Sequence, residues 1–319
     1  MDVFGSVLLI CALAVVVIVV FLGLITFLIS CVRGKEPNWQ DKEKLKKTIY
    51  RKFADHITEA DQWLHSLNYQ ELWTNSNDGL RLHAYWVPVE NAKGTVLLAH
   101  GYRSTWRLDF SKVLQVYRDM GMNLLIPDQR AHGKSEGKII TFGVKESDDM
   151  YRWILLHNDK FSQCPILLCG LSMGASTMMY LADRELPDNV KAMIVDCGFT
   201  SPWEIIRVVF RKILHLPAKP ALWIANVFAQ LFGGFNLREK DSRRILKNSR
   251  LPILMVHGAE DGFVPSYMTQ EGFEACSGKK ELFLVEGADH GVSFLVDREG
   301  YTSRAVKFIE EHLNITIQR

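Results

Sequence analysis

Several function classes can be set aside because the residues they need are missing. The chain has six cysteines in 319 residues, and no two are spaced as CxxC, so zinc knuckles and thioredoxin-type redox sites are not supported. No H-E-x-x-H occurs, so the usual ligand set of a zinc hydrolase is missing. Gly133-Lys134-Ser135 matches the end of a phosphate-binding loop, but Asp128 stands where the first glycine of that loop is required. No metal or cofactor is expected. Charge of either sign is not in excess: 38 Lys and Arg face 36 Asp and Glu, for a formal net charge of +2. Nucleic acid is therefore not expected as a partner. With 48% hydrophobic and 23% charged residues the chain is not disordered.

Charge is also absent locally. Between Asp2 and Arg33 no charged residue occurs, and Val7 to Val32 is almost entirely aliphatic or Phe. Such a run exceeds the roughly 20 residues that cross a bilayer core as a helix. A signal peptide would carry a basic n-region, a shorter apolar core and a small-residue cleavage site. A retained transmembrane anchor over residues 3–32 is expected, with a cleaved signal peptide or a buried core helix as alternatives. Cys11 and Cys31 fall within it, whereas Cys164, Cys169, Cys197 and Cys276 are scattered, and none of these spacings demands an oxidising compartment.

Basic residues follow at once. From Arg33 to Lys52 there are eight Lys or Arg against three acidic residues, while Leu45, Ile49, Phe53 and Ile57 recur every four positions. That spacing predicts an amphipathic helix in a linker over residues 33–69. Its basic side is either a solvated face or a contact for anionic lipid headgroups. The positive flank favours a cytoplasmic location for the rest of the chain, with an extracytoplasmic one as the alternative.

Residues 70–319 show a different rhythm. Asn77-Asp78-Gly79 predicts a hairpin turn between Glu71–Thr74 and Leu82–Val89. Short apolar strands are expected at 95–99, 122–127, 165–169, 192–196, 252–257 and 281–285. Helical patterns lie between most of them, near 105–120, 143–158, 173–185, 265–276 and 302–313. Continuously apolar strands have both faces covered, so an α/β fold with a mainly parallel sheet is expected. One interval breaks the alternation. About residues 200–247, two apolar stretches, Trp203–Leu216 and Pro220–Phe232, predict a small helical cap over a pocket.

The chemistry centres on Gly170-Leu171-Ser172-Met173-Gly174, where a strand pattern turns into a helix pattern. Flanking glycines permit a sharp turn, at whose tip Ser172 would project while the Met173 amide opens the helix. An incidental serine at a strand end remains open on this pattern alone. Activation needs a base and an orienting carboxylate. His290 follows the strand ELFLV, and Asp261 follows PILMVH. Asp196, also at a strand end, is a second candidate acid. His132 is a weaker candidate base, with neighbours that suggest a turn network. His100 is better placed beside the oxyanion site, and Asp289 is better suited to capping a turn.

Taken with His100-Gly101-Tyr102, Asp128–Ser135, Gly258-Ala259-Glu260-Asp261 and Asp289-His290-Gly291, these motifs resemble the α/β-hydrolase superfamily over roughly residues 70–315. The resemblance is closest to small serine hydrolases with an N-terminal membrane anchor and a minimal cap. It implies Ser172 as nucleophile, His290 as general base and acid, Asp261 as orienting acid, and an oxyanion hole from the backbone amides of Tyr102 and Met173. Ala131 departs from the family pattern, which often has glycine there. The expected activity is cleavage of carboxylic esters with an apolar acyl or alkyl group, on a small-molecule or lipid-like substrate. Peptidase, amidase or thioesterase action on the same residues is the enzymatic alternative, and a non-catalytic binding protein is the alternative of another class.

Overall fold

The computed structural model describes residues 3–35, 41–111, 113–161 and 163–317. Helix α1 (Val3–Cys31) is long and apolar enough to cross a membrane, and nearly every side chain from Val3 to Phe21 is exposed. Only Gly23, Phe27 and Cys31 are buried. Their four-residue spacing marks one face, packed on the rest of the protein. The chain then docks at once: Ile140 N–H donates to Cys31 C=O at 2.6 Å, and Arg33 N–H donates to Lys138 C=O at 2.8 Å.

The linker is not the single amphipathic helix that its periodicity predicts, and residues 36–40 lie outside the described residues. Asp41 caps a single-turn helix α2 (Lys42–Leu45), and a 3₁₀ turn at Ile49–Phe53 leads into α3 (Ala54–His65). The break falls at Thr48, whose extended backbone (φ −116°, ψ −176°) lets its hydroxyl accept from Tyr50 N–H. A side chain that bonds the local backbone restarts the helix instead of continuing it. Leu45, Ile57 and Leu64 stay buried, but Ile49 is exposed.

Eight strands form one sheet: β1 (Gln70–Asn75), β2 (Arg81–Val87), β3 (Gly94–Ala99), β4 (Met122–Asp128), β5 (Ile166–Leu171), β6 (Val190–Asp196), β7 (Ile253–Gly258) and β8 (Lys280–Val285). Their spatial order is β1-β2-β4-β3-β5-β6-β7-β8. The expected hairpin pairs antiparallel, β2 pairs antiparallel with β4, and every later pairing is parallel. Strands β3, β4, β5 and β7 are buried at every position, as continuously apolar sequence requires.

The expected helix at 105–120 is two pieces, α4 (Trp106–Asp109) and α5 (Val113–Asp119). Next come α6 (Val144–Lys160), α7 (Met173–Leu181), the cap helices α8 (Pro202–Leu214) and α9 (Lys219–Phe228), then α10 (Ser242–Leu246), α11 (Tyr267–Ala275), α12 (Ser293–Val296) and α13 (Arg298–Leu313). Alternate residues of each strand face opposite layers. Leu98, Ile126 and Cys169 pack with Tyr117 of α5 and Phe308 of α13, while Leu97, Leu125 and Leu168 pack with Trp153 of α6 and Met178 of α7. The cap has its own core, in which Phe210, Leu222 and Ala225 join Phe27 and Cys31 of α1.

Candidate active site

Strand β5 runs straight into Ser172, which holds φ 56° and ψ −116° before α7 begins. That conformation is strained for a residue with a Cβ, and packing on both sides fixes it. A Cβ on Gly170 would lie 2.3 Å from Gly174 C=O, and one on Gly174 only 1.8 Å from Ala99 C=O. Glycine is thus required at both flanks because β5, α7 and β3 converge there. Ser172 N–H donates to Asp196 C=O at 2.8 Å, which ties the turn to the next strand.

Residues 118 positions apart in the sequence meet here. Ser172 Oγ is 2.9 Å from His290 Nε2, and His290 Nδ1 is 2.7 Å from Asp261 Oδ2. A carboxylate accepts only, so Nδ1–H donates to Asp261 and Nε2 is left to accept the Ser172 proton. Asp261 Oδ1 accepts from Phe263 N–H and Val264 N–H, both at 2.8 Å. Burial alone would raise its pKa, but hydrogen bonds from His257 and His290 outweigh that and hold the carboxyl well below its ordinary range. Asp289 ties the two loops together by accepting from both Gly262 N–H (2.9 Å) and His290 N–H (2.7 Å).

The competing residues have other tasks. Asp196 is buried and accepts from Ser293 Oγ–H at 3.0 Å; burial pushes its carboxyl up to about 6. His132 donates from Nδ1 to Arg130 C=O and accepts at Nε2 from Arg103 N–H at 3.0 Å, while burial, then the charge of His100, brings it down to about 3. His100 likewise accepts Gln129 N–H at 3.1 Å and donates to Gly101 C=O at 2.9 Å. Both imidazoles brace turns. Ala131 sits in this turn at φ +60°, the left-handed region for which glycine is the usual choice.

Tyr102 and Met173 flank the serine, Met173 as the first residue of α7, where amide N–H groups and the helix dipole favour negative charge. The Tyr102 loop is held from both sides. Gly101 N–H and Ser104 Oγ–H donate to Asp109, each at 2.6 Å. From the other side, Arg103 donates to the carbonyls of Ile29 (2.8 Å) and Val32 (2.7 Å), and Tyr102 O–H donates to Ser30 C=O at 2.8 Å. These bonds satisfy carbonyls that the end of α1 leaves without helical partners.

Among the described residues, two cavities flank Ser172. The first, about 190 Å³, is mostly apolar, with Phe142, Phe199, Ile205 and Ile206 in its wall together with Ile29 from α1. The second, about 360 Å³, is bounded by His290, Leu171, Leu108 and the linker residues Thr48 and Tyr50. Phe263 borders both, its ring edge-on to His290 with centroids 5.2 Å apart. Cys197, Asp261 and His290 offer ligand atoms within 4.8 Å of one another. Burial pushes the Cys197 thiol well above its ordinary range, and both His290 nitrogens are already engaged. Such a donor set suits proton transfer better than metal binding.

Sequence reasoning missed three contributors. His257 is fully buried, with Nε2 3.1 Å from Asp261 Oδ2 and Nδ1 2.6 Å from Thr269 Oγ1. Its position three residues before Glu260-Asp261 was the available signal. Tyr50 and Ile29 lie far from the motifs in sequence, and no local pattern marks them.

Comparisons with known proteins agree on the fold. A family model described as the alpha/beta hydrolase fold matches residues 94–230. The chain is 27% identical to uncharacterized protein YqkD of Bacillus subtilis, over 84% of this chain and 88% of that protein. It is 25% identical to alpha/beta hydrolase domain-containing protein WAV2 of Arabidopsis thaliana, over 77% of this chain and 80% of that one. Among solved structures, the Pyrococcus furiosus esterase Pf2001 is similar with a TM-score of 0.62 and 24% identity, over 78% of this chain and 94% of that one.

Proposed function

Because this chain has the α/β-hydrolase fold, we propose that it is a membrane-anchored serine hydrolase that cleaves carboxylic esters of an apolar acyl or alkyl group. The observation that carries this reading is the Ser172–His290–Asp261 hydrogen-bonded chain opening beside an apolar cavity. His290 Nε2 takes the Ser172 proton as Oγ attacks the ester carbonyl, and Asp261 stabilises the imidazolium that forms. The Tyr102 and Met173 amides hold the developing oxyanion. Collapse breaks the C–O bond, and His290 returns its proton to the leaving alcohol. Water, deprotonated by the same imidazole, then releases the carboxylic acid and regenerates Ser172. The apolar wall favours an acyl chain in the smaller cavity, with the leaving alcohol on the side of Tyr50. The exposed apolar surface of α1 supports the anchor.

A fluorophosphonate probe should label Ser172, and Ser172→Ala should abolish both labelling and turnover across a series of esters of graded chain length. Undiminished labelling of the variant would refute the nucleophile. Faster turnover of peptide amides than of any ester would overturn the substrate class.

A further inference from the structure

A single transmembrane helix leaves part of the protein's apolar surface without a role. Between Lys219 and Arg238 the cap has no charged residue. Trp223, Val227 and Leu231 recur every four positions at 49%, 48% and 71% exposure, and Phe232 beside them is 65% exposed. A solvated helix carries mainly polar or charged residues on such a face, whereas from Leu222 to Phe232 Gln230 is the one exposed polar residue. The same helix packs on α1. A Cβ on Gly23 would lie 2.4 Å from Ile224 Cβ and 2.8 Å from Ala221 C=O, so the helices cross in close contact there. Phe27 meets Phe228 and Phe232 with ring centroids 6.1 Å apart.

The length of α1 sets the level of this contact. Its 29 residues span about 43 Å at ~1.5 Å per residue, against a hydrocarbon core of roughly 30 Å. The helix is thus about 13 Å longer than the core, and its exposed apolar residues continue past Phe21 to Leu28 and Ile29. The turns from Gly23 to Cys31 are left at its boundary, and those turns hold α9 and wall the acyl cavity. The exposed residues of that wall are Ile29 and Phe263. At about 190 Å³ the cavity is smaller than the roughly 300–1,000 Å³ of most ligand pockets, so a long acyl chain must run out past them.

We propose that α9 and the turn after it insert into the lipid leaflet beside α1, and that substrate reaches Ser172 laterally from that leaflet, past Ile29. The proposal rests on the ester-hydrolase reading and narrows it. The substrate class is a membrane-resident ester of a long-chain acid, whose chain passes from bilayer to cavity without crossing water. Insertion of such a face is stabilised by the apolar area it removes from water.

The test uses full-length protein in vesicles of phosphatidylcholine and phosphatidylglycerol. Val227→Glu/Leu231→Glu alters two exposed side chains that line neither cavity. It should keep hydrolysis of a soluble short-chain ester within twofold and lower hydrolysis of a bilayer-held long-chain ester at least tenfold. In parallel, a nitrobenzoxadiazole probe is attached through Leu231→Cys, made with Cys11→Ser and Cys164→Ala. It should emit as in an apolar medium and be quenched by lipids brominated on the acyl chain. Equal loss of both activities, no loss of either, or water-like unquenched emission at residue 231 would overturn the proposal. If the wild type hydrolyses neither ester, the ester reading fails, and the quenching result still decides the insertion.

Discussion

Replacing Asp261 by asparagine tests how the base is oriented while keeping the backbone bonds that Oδ1 accepts in this loop. Oδ1 is committed as an acceptor to Phe263 N–H and Val264 N–H at 2.8 Å each. Turning the new amide so that its NH2 faced them would leave backbone donors unpaired, at ~1–3 kcal/mol each. The NH2 therefore takes the Oδ2 position, 2.7 Å from His290 Nδ1. Two donors would then face each other unless His290 moves its proton to Nε2. In that tautomer Nε2 can no longer accept from Ser172. Loss of the orienting carboxylate costs about 10⁴ in kcat in the serine-protease precedent, or ~5.4 kcal/mol at 1.36 kcal/mol per decade. The assay is kcat on a soluble chromogenic ester together with the rate of fluorophosphonate labelling, with a thermal melt to show that the variant folds. A folded Asp261→Asn protein within tenfold of wild type would refute the proton path.

Asp196→Asn should leave kcat within a few-fold of wild type. Its carboxyl is pushed up from 3.8 to about 6, so the stability it contributes is full below pH 3.8 and is lost as pH rises through 6. The variant should therefore gain roughly 1–3 kcal/mol in denaturant unfolding at pH 8, and an unchanged midpoint would count against the buried charge. His132, brought down to about 3, has the opposite sign. Its contribution is present above pH 6.5 and falls by ~1.4 kcal/mol per pH unit below it, so His132→Gln should flatten the acid limb of the stability curve. For orientation, the basic stretch Arg33–Lys52 predicts that protease added to intact cells spares the domain until lysis; digestion in intact cells would place it outside.

The sheet was legible because buried parallel strands leave uninterrupted apolar runs, as in TVLLA and ILLCG. The spacing of motifs after strand ends was likewise enough to nominate Ser172, Asp261 and His290, which the fold brings into one hydrogen-bonded chain. The linker was less legible. Periodicity from Leu45 to Ile57 is helical in register, and the single hydrogen bond from Tyr50 to Thr48 that breaks it has no counterpart in hydrophobic pattern. The result matters for the site, since the break turns Tyr50 toward the serine. His257 was overlooked for another reason. A histidine at the end of a buried strand reads as core until its partner across the turn is known.

The hydrogen bonds that Tyr102 and Arg103 send to the last turn of α1 bear on how the protein can be divided for study. A fragment cut after Cys31 would keep Ser172, His290 and Asp261, together with the sheet that aligns them. Its Arg103 guanidinium would exchange Ile29 C=O for water, and Tyr102 would lose its acceptors on Ile29 and Ser30. A charge-assisted bond contributes about 1.5–3 kcal/mol and a neutral one about 0.5–1.5 kcal/mol. Here the Arg103 bond to Ile29 and the neutral Tyr102 bonds hold the loop whose amide is assigned to the oxyanion. Soluble truncation would thus yield a folded protein with a loosened oxyanion site, one that binds active-site probes but turns over slowly. For this chain the helix that resembles a detachable tether is one wall of the reaction vessel.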